Sequence, residues 1–253
     1  MNLQALDAGE GRRGCPSSSR RAFAEATGTA FLLMAIVGSG IMAERLMHGD
    51  AGLSLLVNSI ATGAALFALI VAFGPISGAH INPAVTLSFA IRGRISRVEA
   101  AVYILAQIVG ALVGVALTHL MFREPVFMAS ATLRGGAHQW LSECVATFGL
   151  VTVIWTTQSR GSLVVAPVVG CYIMSAYWFT SSTSFANPAV TVARAVTDSF
   201  SGIHPGSVTG FVIAQVVGAA VATAVASWLV ASPVAEGLSP ATRSREQFQK
   251  ETA

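Results

Sequence analysis

The chain has 253 residues, 53% hydrophobic and only 11% charged, against about 25% charged in an ordinary soluble domain, and its mean hydropathy is +0.66. That composition excludes a water-soluble globular domain and indicates an all-α integral membrane protein. The net charge is +3 and the pI near 9.1, yet the basic residues form no aromatic-interleaved patch, which excludes a nucleic-acid partner; they punctuate apolar segments as topology signals do.

Residues 1–21 carry Arg12, Arg13, Arg20 and Arg21 among Gly, Ser and Pro without helical periodicity, and read as an N-terminal tail. No Ala-x-Ala cleavage site ends the long apolar stretch that follows, so it is read as an uncleaved first span, about Ala22 to Ala43, with Glu25 near its start. The second span runs from about Leu53 to Phe73, and the chain is expected to loosen at Gly74-Pro75-Ile76-Ser77-Gly78-Ala79-His80. Asn82-Pro83-Ala84-Val85-Thr86 then opens a short helix, since Asn is a strong N-cap and Pro suits the first helical position. From Asn82 to Ile91 it would be about 15 Å long, half of a ~30 Å hydrocarbon core, so it enters a bilayer without crossing it.

Span three, about Val98 to Met121, is followed by a connection from Phe122 to Ala137. Span four, about Gln139 to Thr157, carries Glu143; span five is about Leu163 to Phe179. Thr180 to Ala186 leads into a second copy of the motif, Asn187-Pro188-Ala189-Val190-Thr191, and span six runs from about Ser207 to Val230. Residues 232–253 read as a second tail, leaving 22–231 as the membrane domain. Cys15, Cys144 and Cys171 lack metal-ligand spacing, so neither a disulfide framework, a metal site nor a cofactor is expected.

The two halves, about 22–121 and 138–231, repeat: Glu25 corresponds to Glu143, Asn82 to Asn187 and Gln107 to Gln215, at offsets of 118, 105 and 108. Three spans per unit turn the second unit upside down relative to the first, a 3+3 inverted repeat that puts the shared site at the midplane. Counting Lys and Arg by side gives eleven against four, the majority on the side of both termini, which the positive-inside rule assigns to the cytoplasm. Two half-helices with N-termini at the midplane aim positive dipole ends at each other, an arrangement tolerable only around a watery pore.

Six transmembrane helices, two re-entrant Asn-Pro-Ala half-helices, the Ser77-Gly78-Ala79-His80 lead-in and a Glu in each half's first span together resemble the aquaporin, or major intrinsic protein, family over nearly all of residues 22–231. The resemblance implies an hourglass pore in each protomer, a homotetramer in the cell's inner or plasma membrane, and passive flow of water and small neutral solutes. If the side-chain oxygens of Asn82 and Asn187 cap their own helices, their NH₂ groups are free to donate into the lumen. Glu25 and Glu143 are either proton-relay carboxylates or acceptors for the unpaired backbone of the lead-ins, with Gln107 and Gln215 as braces. His80 is either a pH sensor or a hydrogen-bonded neutral imidazole beside the cytoplasmic mouth.

Many members of the resembled family have Arg three residues after the second motif's Asn; here Val190 stands there. The family's spacing puts Thr62 at the second-span filter position and Ser184 before the second motif, with Ser175 or Tyr177 at the fifth-span position. Such a filter is expected to be wide, admitting glycerol-like polyols and undissociated metalloid acids such as arsenous acid. Arg194, one helical turn beyond Val190, is either a displaced filter cation or a residue that pairs with Asp198 or snorkels to the headgroups. The competing class is a gradient-driven secondary transporter with broken helices, which calls for a titratable pair at the midplane. No nucleophile, base and orienting residue recur together as an enzyme requires.

Overall fold

The computed structural model describes residues 16–230, so residues 1–15 and 231–253, with Cys15, Arg12, Arg13, Arg243, Arg245 and Lys250, lie outside the described residues. Eight α-helices follow in order: α1 (Ser18–Met47), α2 (Ala51–Ser77), α3 (Pro83–Ile91), α4 (Arg97–Phe122), α5 (Ala137–Thr157), α6 (Ser162–Phe179), α7 (Pro188–Arg194) and α8 (Val208–Leu229). Among the described residues, six helices are long and apolar enough to cross a membrane, while α3 and α7, of nine and seven residues, are the short ones. Five of the six long helices overrun their expected spans by one to a few residues, while α8 stops one residue short at each end; α1 takes in Ser18 to Arg21 of the expected tail. Asp50 and Ser96 explain two of the earlier starts, capping the N–H of Leu53 and of Glu99.

One expectation fails. The chain does not loosen at Gly74 and Pro75, because α2 continues through Pro75 to Ser77. Proline lacks one ladder donor, but the turn after it is closed by the Gly78 N–H bonding the Gly74 carbonyl. Gly78, at φ +88°, then ends the helix in the left-handed conformation that glycine adopts most cheaply.

The halves pack alike. α1 lies against α4 and α2, α5 against α8 and α6, and α2 crosses α6 at the centre. Each half-helix contacts the last long helix of both halves, α3 touching α4 and α8, and α7 touching α8 and α4. Small residues permit the closest crossings: a Cβ on Gly110 would collide with the Ala26 carbonyl, and one on Gly218 with the Cys144 carbonyl. Gly110→Leu is therefore expected to destabilise the protein by about 1–3 kcal/mol or more, the usual cost of overpacking. Gly135→Ala, where a Cβ meets nothing within 4 Å, should leave the melting temperature in detergent unchanged.

Candidate functional site

Each half-helix is preceded by a non-helical lead-in whose backbone is tied to one buried carboxylate. Glu25 Oε1 accepts from the Ser77 hydroxyl at 2.6 Å and the His80 N–H at 2.9 Å, while Oε2 accepts from the Ile81 N–H at 2.6 Å and Gln107 Nε2 at 2.7 Å. Glu143 repeats the pattern: Oε1 with Ser182 Oγ and the Phe185 N–H, Oε2 with the Ala186 N–H and Gln215 Nε2, all between 2.6 and 2.9 Å. Both carboxylates are fully buried. Gln107 and Gln215 reach the lead-ins only through these carboxylates; their second bonds go to Thr86 and Thr191 on the half-helices.

These anchors hold a costly backbone. Ala79 and Ile81 have φ of 47° and 50°, and their equivalents Ser184 and Ala186 have 49° and 47°; for β-branched Ile81 this is a strained position. Turning the His80, Ile81, Phe185 and Ala186 N–H groups toward the carboxylates, and those of Ala79 and Ser184 toward the Ser77 and Ser182 hydroxyls, leaves the carbonyls of residues 78–80 and 183–185 without an acceptor role in the described hydrogen bonds. Gly78, Ala79, His80, Ser184 and Phe185 all line one cavity, so the lead-ins present unoccupied acceptors to whatever fills it.

The two motifs meet at the centre. Asn82 Oδ1 caps the Ala84 N–H at 2.9 Å, and Asn187 Oδ1 caps those of Ala189 and Val190 at 3.0 and 3.3 Å. Each amide also reaches across: Asn82 Nδ2 donates to the Ala186 carbonyl at 2.8 Å and Asn187 Nδ2 to the Ile81 carbonyl at 2.9 Å. The sequence expectation that the NH₂ groups are free to donate into the lumen is therefore only half met: one N–H of each is spent on the reciprocal tie and one remains. Both Asn side chains line the cavity, while Pro83, Ala84, Pro188 and Ala189 are buried behind them in the half-helices.

The same cavity brings together Thr62, Tyr177, Ser184, Val190, Arg194 and His80. Of the two fifth-span candidates, Tyr177 faces the lumen, whereas Ser175 is exposed and bonds its own helix. Thr62 gives its proton to the Asn58 carbonyl, so Tyr177 is the donor in the 3.1 Å contact between the two hydroxyls. Thr86 likewise gives its proton to the Asn82 carbonyl and receives one from Gln107. His80 Nδ1, 3.1 Å away, must then donate to it, which leaves Nε2 as an acceptor.

Arg194 is 2% exposed and does not pair with Asp198, whose carboxylate accepts the Ala131 N–H instead. Its Nε bonds the Ser201 carbonyl and its guanidinium lies 3.4 Å above the Phe185 ring. Sequence reasoning missed a second cation at this end. Arg134, from the connection between the halves, bonds the Gly202 carbonyl at 2.9 Å and also stands over Phe185, 5.2 Å from its centroid. Burial holds the Arg134 guanidinium below its usual pKa, partly offset by the Glu143 carboxylate. Also missed were the apolar lining residues Ile70, Val85, Phe89 and Val169. For Val85 and Phe89 a signal existed, since the repeat offset that pairs Asn82 with Asn187 pairs them with Val190 and Arg194.

A major intrinsic protein family model matches residues 15–179. The chain is 52% identical over 226 residues to "Aquaglyceroporin AqpS" of Rhizobium meliloti (strain 1021), an alignment covering 88% of this chain and 97% of that protein. It is 33% identical over 195 residues to "Aquaporin TIP1-2" of Zea mays, covering 72% of this chain and 76% of that one. Among solved structures, the aquaglyceroporin from Plasmodium falciparum superposes with a TM-score of 0.66 at 21% identity, covering 85% of this chain and 98% of that chain, and so shares the fold.

Proposed function

The chain belongs to the major intrinsic protein family, and from that premise we propose that it is a passive channel with a widened outer filter, conducting water, glycerol-like polyols and undissociated metalloid acids such as arsenous acid. The observation that carries this reading is the single cavity lined by both Asn residues, in which Val190 occupies the third position after the second Asn. An aliphatic side chain there neither crosses the lumen nor donates a hydrogen bond, and Thr62 in the same lining adds no aromatic bulk. Two half-helix N-termini at the centre disfavour cations, so neutral solutes pass while charge is resisted; without an Arg at position 190 that resistance is reduced, not absent.

The rest of the reading follows the chain's charge and family. Residues 22–231, with α1 reaching back to Ser18, form the conducting unit, both termini lie on the cytoplasmic side of an inner or plasma membrane, and four copies assemble side by side. The gradient-driven transporter finds no support in the lumen wall: among the described residues it carries no carboxylate, and both buried Glu side chains are saturated with donors. Glu25, Glu143, Gln107 and Gln215 act as scaffold rather than as proton relay.

The test is stopped-flow light scattering on proteoliposomes, comparing water with glycerol, with arsenous acid uptake measured on the same vesicles at neutral pH. Rapid solute entry without a proton or sodium gradient is the expected result. Fast water with no solute entry would mean that Arg194 or Tyr177 restores a narrow filter. Entry only under an ion gradient would return the transporter.

A further inference from the structure

The inverted repeat sets a lead-in side chain against a half-helix side chain at each end of the lumen. Phe185 and Arg194 form the outer pair and His80 and Phe89 the inner one, related by the same offset of 105 as Asn187 and Asn82. All four line the cavity. The outer pair is drawn into the wall: Arg194 bonds the Ser201 carbonyl and stacks on Phe185, and the two are 2% and 5% exposed. Tyr177, the other bulky side chain at that end, is 3% exposed and tied to Thr62. The inner pair differs, because His80 and Phe89 both keep part of their surface open.

Phe89 is also held in place. Its ring packs on the His80 imidazole, 4.4 Å away between centroids, and stacks on the Trp155 indole at 4.7 Å and 26°. Neither neighbour is free to yield. His80 Nδ1 bonds Thr86 of the same half-helix at 3.1 Å, while buried Trp155 donates its Nε1–H to Ser88 at 2.7 Å and carries the Arg92 guanidinium 4.0 Å from its centroid. The helical backbone further confines the χ1 of Phe89 to two rotamers. Ile154 and Val165 line the same cavity and flank the short turn 158–161 that joins α5 to α6, on the side toward which α3 runs. An apolar wall of this kind gives a solute hydroxyl nothing in exchange for the water it sheds, so passage there is decided by fit.

Resting on the channel reading above, we propose that Phe89 is the width-determining residue of this channel: with Val190 leaving the outer end open, the braced Phe89 ring beside His80 is the narrowest obstacle, and uncharged solutes are sorted by cross-section at the inner end of the lumen. The solutes it divides are small polyols. A linear polyol threads past the ring end-on, whereas a branched one with the same number of hydroxyls presents a broader section and is held back. Their hydrogen-bonding chemistry is the same, so only width separates them.

The experiment follows the re-swelling of proteoliposomes by stopped-flow light scattering in glycerol and in tris(hydroxymethyl)ethane, a branched triol, for the full-length wild type, Phe89→Leu and Phe89→Trp. Each rate is taken above that of empty vesicles, and the readout is the ratio of branched to linear triol entry, in which the amount of folded, inserted protein cancels. The wild type should admit the branched triol about tenfold more slowly than glycerol, Phe89→Leu should raise the ratio about tenfold, and Phe89→Trp should lower it about as much. A loss of packing alone slows both solutes together and leaves the ratio where it was. If one variant gives no flux the other still decides, since the two shifts have opposite signs. A wild-type ratio near one, or a ratio unchanged in every variant that conducts, overturns the assignment. Exclusion of glycerol by the wild type and by Phe89→Leu alike overturns instead the wide-channel reading on which it rests.

Discussion

Replacing Glu143 by leucine should abolish a folded, conducting protein. The carboxylate accepts four hydrogen bonds, two from backbone N–H groups of the lead-in and one each from Ser182 and Gln215. Leucine would leave four buried donors at about 1–3 kcal/mol each, a total that rivals the ~5–15 kcal/mol net stability of a typical domain. Water inside a membrane domain is too scarce to replace the lost acceptor in full. The variant is expected to aggregate or to elute as a broad peak in detergent size-exclusion, with no permeability above empty vesicles. Glu143→Gln keeps one acceptor oxygen but turns an NH₂ toward donors, and should fall between leucine and wild type in melting temperature. Glu25→Leu should behave like Glu143→Leu, since its four bonds are equivalent. A proton-relay role makes the opposite forecast: Glu143→Gln would melt like the wild type and lose only gradient-driven uptake. A Glu143→Leu protein with wild-type melting and flux would refute the scaffold role.

Val190→Arg should close the pore to solutes while sparing much of the water flux. The side chain at 190 is 2% exposed and faces the cavity beside Tyr177 and Ser184, so a guanidinium introduced there must lie across the lumen. Acceptors are at hand, because the lead-in carbonyls of residues 183–185 have no protein donors among the described hydrogen bonds. An added barrier of only about 3 kcal/mol slows entry roughly a hundredfold, which stopped-flow glycerol measurements resolve easily. Proton leak under an imposed pH gradient should fall as well, since a fixed cation now adds to the two half-helix dipoles. Arg194 stands one turn away and would repel the new cation, so Val190→Arg combined with Arg194→Ala is the informative partner, separating a filled lumen from a merely destabilised one. If Val190→Arg leaves both the solute range and the proton leak unchanged, the widened filter is wrong.

The duplicated Asn-Pro-Ala motif was legible because capping is a local matter: an Asn before a Pro-initiated turn binds the N–H groups two and three residues on, whatever surrounds it. The paired Glu and Gln residues were legible for another reason. A carboxylate in an apolar span needs donors, and each half contains one irregular segment to provide them. Composition and the odd number of spans per unit were enough for the membrane and the inverted repeat.

Sequence could not choose between Ser175 and Tyr177, which lie two residues apart on one helix; packing of α6 against α2 turned the tyrosine to the lumen and the serine outward. It left Arg194 open between Asp198, the headgroups and the pore. Phe185 and the Ser201 carbonyl decided that choice, and both are positioned by segments outside the half-helix. Nor could it foresee the tie between Asn82 and the Ala186 carbonyl, which spans 104 residues, or Arg134 arriving over Phe185 from the connection between the halves. The chain alone determined what lies within one helical turn or recurs at one offset: spans, caps, repeats and the Val at position 190. The tertiary structure alone decided which polar atoms were left unspent at the lumen, because a buried donor or acceptor is free only after every neighbour brought in by the fold has made its own bond.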